Sequence, residues 1–322
     1  MKFLPRFIQA AAALTLAAAG SLACAQDYPN KPVRVLVGMA PGGSNDTIAR
    51  MISSELTQTM SQPFVVENKP GANGIIATNE LARATPDGHT LMLVISSHVT
   101  NTLLYPNLKF KLDDFAPVGV IADTPFLLVA NPKFAPNNVS DLIGLVKGGT
   151  AVDFGSPGLG STQHIAMELM DQMAGMKMNH IPYKGGAPAQ TDVISGQIPL
   201  IFATPTQSLP FIREQKLKPI GVTSTQRIRQ LPDVPTLAES GLPGYEASVW
   251  FGIIAPAGTP PAITERLSSE IARIVRSDKI RHNLDSMGLN PVGSTPVQFQ
   301  KLLDEEQGKW AGVIQKSGIK VE

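Results

Sequence analysis

The chain is 322 residues long, 43% hydrophobic and 16% charged, with 27 Lys and Arg against 26 Asp and Glu. So even a balance, with no basic block, argues against nucleic acid as a partner, and a single cysteine excludes a disulfide framework. The length exceeds what one hydrophobic core usually serves, so two lobes are expected.

Lys2 and Arg6 precede an almost uncharged apolar stretch, Phe7 to Leu22, followed by Ala23, Cys24 and Ala25. A basic start, an apolar run and a small-x-small site predict a signal peptide over residues 1–25, cleaved after Ala25, and export to the periplasm. The apolar run is roughly 16 residues, short of the ~20 that span a bilayer, which disfavours a retained anchor. Cys24 leaves lipidation as an alternative, although Ser21 stands where such signals usually carry Leu. Cleavage removes two cations and the only cysteine, leaving a slightly acidic chain with no thiolate ligand or thiol nucleophile.

Short β-branched runs then alternate with amphipathic stretches. Val33 to Val37 reads as a strand, and Ile48, Met51, Ile52 and Leu56 have the spacing of a helix face. Phe64 to Val66 is a strand, Asn73 to Ala84 a helix, and Thr90 to Ile95 a strand again. This βαβαβ order predicts a parallel sheet with helices on both faces. The pattern repeats with strands at Phe126–Val129 and Ala151–Phe154, and helices at Val139–Val146 and Ser161–Met173. Further strands are expected at Ile198–Phe202, Lys218–Val222 and Ser248–Ala255, and final helices near Pro260, Asp278 and Pro296. The chain is expected to cross between lobes near Asp123–Pro125 and Tyr245–Trp250. Residues 26–124 with 250–322 then form one lobe, and 125–249 the other. Two crossings make a hinge.

Two glycine loops lie between a strand and a helix. Ala40 to Asp46 (APGGSND) contains Gly42 and Gly43, which let backbone N–H groups approach a ligand at a helix N-terminus. Ser44 or Asn45 is the expected N-cap, with Asp46 in the first turn. Gly155 to Thr162 (GSPGLGST) is the second. It lacks the Lys of a nucleotide-phosphate loop, and Gln163 replaces the third glycine of a dinucleotide fingerprint. Neither loop has the elbow of a serine hydrolase, and neither contains a cation. An ordinary βα turn is the alternative for each. Two such loops facing each other would instead hold a small anion by backbone dipoles.

Several strings resemble one family, the Bug-type substrate-binding proteins of tripartite tricarboxylate transporters. They are Ala40–Arg50 (APGGSNDTIAR), Asn68–Gly74 (NKPGANG), Gly155–His164 (GSPGLGSTQH), Ile181–Gly185 (IPYKG), Leu231–Thr236 (LPDVPT) and Trp250–Pro256 (WFGIIAP). They lie in order along nearly the whole mature chain. The resemblance implies an α/β, two-lobed periplasmic-binding-protein-like (type II, Venus flytrap) fold with two hinge crossings and no catalysis. It also implies carboxylate binding by the two loops, often through ordered waters. Gly42, Gly43 and Asp46 on one side, and Gly160, Ser161, Thr162 and His164 on the other, would form or support the pocket, with Met39 as an apolar wall. Asn45, Ser97, Gly158, Tyr183 and Thr204 complete the candidate ligand-binding set. Where the family commonly has Phe-Asp-Asn, this chain has Phe202, Ala203 and Thr204. An Asp there could pair with an ammonium group, so the expected ligand lacks one: an aliphatic dicarboxylate or an aromatic carboxylate.

Lys184 reads as a solvated charge, and Trp250 and Phe251 as hinge packing. His164 has two readings, orienting a loop group or capping the backbone. No His or carboxylate pair has metal spacing, so neither metal nor cofactor is expected. The expected partners are the membrane subunits of a transporter or, alternatively, a sensor kinase, with the chain itself a monomer. An enzyme on the same scaffold would need a nucleophile with its base, a cofactor lysine or a metal, and no segment supplies one.

Overall fold

The computed structural model describes residues 28–319. The predicted leader and Cys24 lie outside them. Eleven strands form two sheets among the described residues, one six-stranded and one five-stranded. In the first, β1 (Val33–Val37) lies parallel between β2 (Phe64–Asn68) and β3 (Thr90–Ile95). Helix α1 (Ser44–Met60) joins β1 to β2, α2 (Ile75–Leu81) leads to β3, and α3 (Ser97–Leu104) follows it. β4 (Phe115–Pro125) then leads out of this sheet, and one residue later β5 (Leu127–Ala130) begins the second.

The second sheet continues with α4 (Val139–Lys147), β6 (Asp153–Ser156), α5 (Thr162–Ala174) and β7 (Asn179–Pro182). Then come α6 (Gly186–Ser195), β8 (Leu200–Ala203), α7 (Pro205–Arg213) and β9 (Lys218–Val222). The chain returns along β10 (Ser248–Pro256) and ends in α8 (Pro261–Arg276), α9 (Asp278–Ser286), β11 (Asn290–Pro291) and α10 (Pro296–Ser317).

The sheets are mixed, correcting the expectation of a parallel one. β10 runs antiparallel to both β3 and β4, and β5 runs antiparallel to both β8 and β9. The reason is the crossing itself. A chain that leaves along one strand and comes back beside it must reverse direction, whereas parallel neighbours need a crossover helix. Thr223 ties the two crossing segments together, and sequence reading missed it. Its hydroxyl accepts from Phe126 N–H (2.7 Å) and donates to the Ala247 carbonyl (2.6 Å), with no solvent exposure.

Helix α8 buries Ile263, Leu267, Ile271, Ile274 and Val275, a stripe at helical spacing, at about 1.5–3 kcal/mol for each large side chain. α10 starts at a capping box between Thr295 and Gln298 and buries Phe299, Leu303, Trp310, Val313 and Ile314. It reaches the second unit, packing on α5, where Gln172 Nε2 donates to the Val313 carbonyl at 2.9 Å.

Asp171, on α5, is 2% exposed. Burial pushes its carboxyl up to about 7, against the Met178 N–H bond and with help from Glu168. A folded-state value above the unfolded one of 3.8 means that the folded chain holds this proton more tightly. Stability is therefore lost as pH rises from about 4 to 7, and the penalty is full above that. Asp171→Asn, which keeps the acceptor for Met178, is expected to raise Tm by a few degrees at about pH 8 and to leave it unchanged near pH 4. Thermal melts at the two pH values check this.

Candidate functional site

Both glycine loops open into one cleft of about 840 Å³ between the two sheets. The first is clamped from behind. Gly42 has φ +86°, a conformation in which a side chain would be strained. Its N–H donates to the Asp46 carboxylate at 3.0 Å, as does Arg50 Nε at 3.0 Å. Arg50 also reaches Asn68, whose amide holds the Met39 carbonyl at 3.2 Å. The Arg50 bond, then the Gly42 bond, hold the Asp46 carboxyl down near 2. Asp46 therefore supports the loop from below and does not line the cleft. The N-cap is Gly43, not Ser44 or Asn45: Gly43 holds the extended backbone before the helix and makes no side-chain cap bond. Ser44 instead begins the helix.

The second loop is held in the same manner by other residues. Ser161 caps α5, its Oγ accepting from His164 N–H at 3.3 Å. Gly160 points its N–H away from the cleft to His164 Nδ1 (3.1 Å), so neither Gly160 nor His164 lines the cavity. His164 thus takes the backbone-capping role of its two readings. Tyr183 does not line it either, because its hydroxyl is committed to Asp192 at 2.7 Å. Met39, Gly42, Gly43, Asn45, Ser97, Gly158, Ser161, Thr162 and Thr204 all line the cleft.

Five helices begin at this cavity. Ser44 opens α1, Ser97 opens α3, Thr162 and Gln163 open α5, Gly186 opens α6, and Thr204 caps α7. First-turn N–H groups have no partner within their own helix, and each helix start carries roughly half a positive charge. Such an arrangement attracts anions.

Sequence reading missed several lining residues. Lys184 is exposed, as expected of a solvated charge, and is also the one cationic side chain lining the cleft among the described residues. Phe251, expected to pack in the hinge, faces the cleft with Val249, while Trp250 between them packs on Phe299 (centroids 5.1 Å apart). Alternation along a strand accounts for this and was the available signal. Asn73 and Gln207 add amides, and Tyr105 and Ile95 add apolar surface. Asn73 holds left-handed geometry (φ 51°) and exchanges two bonds with Asn101. His98, in the first turn of α3, is buried between Phe110 and Phe115, and burial pushes its imidazole down to about 4.

Two α/β units joined by a pair of hinge strands, with facing glycine loops over an open cleft, define a two-lobed solute-binding protein. Residues 48–319 match the family described as tripartite tricarboxylate transporter family receptor, TctC. The protein BugT of Bordetella pertussis is 35% identical, over 92% of this chain and 93% of its own. The structure of R. palustris Rpa4515 with adipate has a TM-score of 0.83 and 34% identity, covering 91% of this chain and 99% of that one. MatC from Rhodopseudomonas palustris, with bound malate, has a TM-score of 0.79 and 32% identity, covering 89% and 100%. The chain belongs to the TctC family and is a Bug-type substrate-binding protein.

Proposed function

We propose that this protein binds a small carboxylate in the periplasm and presents it to the membrane subunits of a tripartite tricarboxylate-type transporter. The observation that carries the reading is the convergence of five helix N-termini on one cleft, with Lys184 as its cation. The relatives with adipate and malate support it. Main-chain amides and hydroxyls grip a carboxylate, while Met39, Ile95, Tyr105, Val249 and Phe251 contact the carbon skeleton. No carboxylate lines the cleft among the described residues, which supports a ligand without an ammonium group. The open cleft falls in the range of about 300–1,000 Å³ of small-molecule sites, and burying most of a diacid requires the lobes to close.

The test is a calorimetric and thermal-shift series of mono- and dicarboxylates, aromatic acids and amino acids. A dicarboxylate or aromatic carboxylate at 100 times its Kd is expected to add about 2.7 kcal/mol of stability and to be recovered unchanged. Aspartate or glutamate binding more tightly than its deaminated analogue would overturn the ligand class. No shift from any carboxylate would overturn the function.

A further inference from the structure

The two histidines behind the second loop form one unit. The His164 and His180 rings lie 3.7 Å apart at 11°, and both stack on Phe154. Because Gly160 N–H donates to His164 Nδ1, the His164 proton sits on Nε2, which faces Glu168 at 3.7 Å. His180 Nε2 is 2.6 Å from Ser156 Oγ. That hydroxyl accepts from Gly158 N–H at 3.1 Å and donates to the Gly158 carbonyl at 2.9 Å. Its remaining lone pair takes the His180 Nε2 proton. Each ring therefore fixes one glycine of the loop, His164 directly and His180 through Ser156. The His164 bond needs a free lone pair on Nδ1, because an Nδ1 proton would face the Gly160 N–H.

We infer that His164 and His180 are a positioning pair for the second glycine loop, His164 holding the Gly160 amide and His180 holding Gly158 through Ser156, and that this hold sets how tightly the loop grips the bound anion. This rests on the carboxylate reading above. The charged groups around the pair are Glu168 and Asp171 on α5 and Lys177 in the turn behind it, while Phe154 and Ser156 of β6 are neutral. Lys177 is bonded to Glu168 at 2.8 Å. Burial raises the Glu168 carboxyl, but the bonds from His164 and Lys177 leave it below its ordinary value. Burial, then repulsion from His164, pushes the His180 imidazole down to about 3, which keeps it neutral until the solution is strongly acidic.

Two variants separate positioning from bulk. His164→Asn keeps an acceptor where Nδ1 stands and takes no proton, whereas His164→Leu keeps the volume and removes the acceptor. With adipate as the probe, calorimetry at about pH 7.5 is expected to place H164N within roughly threefold of the wild type and H164L about tenfold weaker or more. H164L binding like the wild type, or H164N binding as weakly as H164L, would overturn the inference. The Gly160 amide in ¹⁵N NMR supplies a readout that needs no ligand. It is expected to exchange slowly in the wild type and H164N. An unprotected Gly160 amide in the wild type overturns the positioning role whatever binds, whereas a protected amide with no carboxylate of the series above binding overturns the proposed function and leaves the positioning role standing.

Discussion

Gln163→Glu is expected to weaken binding of a dicarboxylate by about 100-fold while leaving Tm unchanged or slightly raised. Gln163 is the second residue of α5, half-buried, and lines the cleft. Glutamate has nearly the same shape, so packing is preserved. A negative charge in a helix's first turn favours the helix by about 0.3–1 kcal/mol. The same charge would face a ligand carboxylate across a few ångströms. Two like charges about 4 Å apart repel by up to about 4 kcal/mol at an effective dielectric constant near 20. Solvent in the open cleft reduces this to about 2.7 kcal/mol, equivalent to 100-fold in Kd. Stability and affinity thus move apart, which a folding defect does not produce. A loss of less than threefold, measured by calorimetry, would show that the anion does not sit at the start of α5.

Gly252→Ala is expected to have the largest effect on stability. A Cβ at Gly252 would lie 2.4 Å from Phe299 Cζ and 2.7 Å from Cε1. Phe299 has no solvent exposure and its ring is wedged edge-on against Trp250, so it has nowhere to move. The register of β10 against β4 also shifts between Phe251 and Gly252, so the backbone there is already irregular. Overpacking at such a site costs about 1–3 kcal/mol, or roughly 2–4 °C of Tm for each kcal/mol. Phe299→Leu in the same chain is expected to recover part of the loss, so the two substitutions are non-additive. Thermal melts of the two single variants and the double variant measure this, and full additivity would show that the clash is relieved elsewhere.

Much of the architecture was legible because its elements carry local signals. The β-branched run at Val33–Val37 became β1, and the starts near Pro260, Asp278 and Pro296 became α8, α9 and α10 within a residue. β4 had no strand assigned to it in the sequence, where Pro117 and Gly119 interrupt the apolar run from Phe115. Pairing with β10 on one side and β11 on the other overrides both. Strand polarity was illegible for a different reason. Antiparallel pairing of β10 depends on where the chain travels between Leu127 and Ala247, and no local pattern records that. In the site, the two glycine loops announced themselves, but the sorting of their residues did not. Asp46, Gly160 and His164 lie in the same strings as Gly42 and Ser161. Only geometry shows that the former hold the loops and the latter face the cleft. Thr223 gave no signal, since a lone threonine after a strand has many uses.

Five helix starts meeting at one cavity also bear on how such a protein can change over generations. The attraction for an anion is set by the direction of peptide units, and no ordinary side-chain replacement removes a peptide dipole. Under the proposed function, cargo choice would instead rest on replaceable groups that line the cleft, such as Phe251, Tyr105, Gln207 and Thr204. A lineage can therefore exchange one acid for another through single replacements without passing through a form that binds no acid at all. Sign and shape of the cargo are inherited separately.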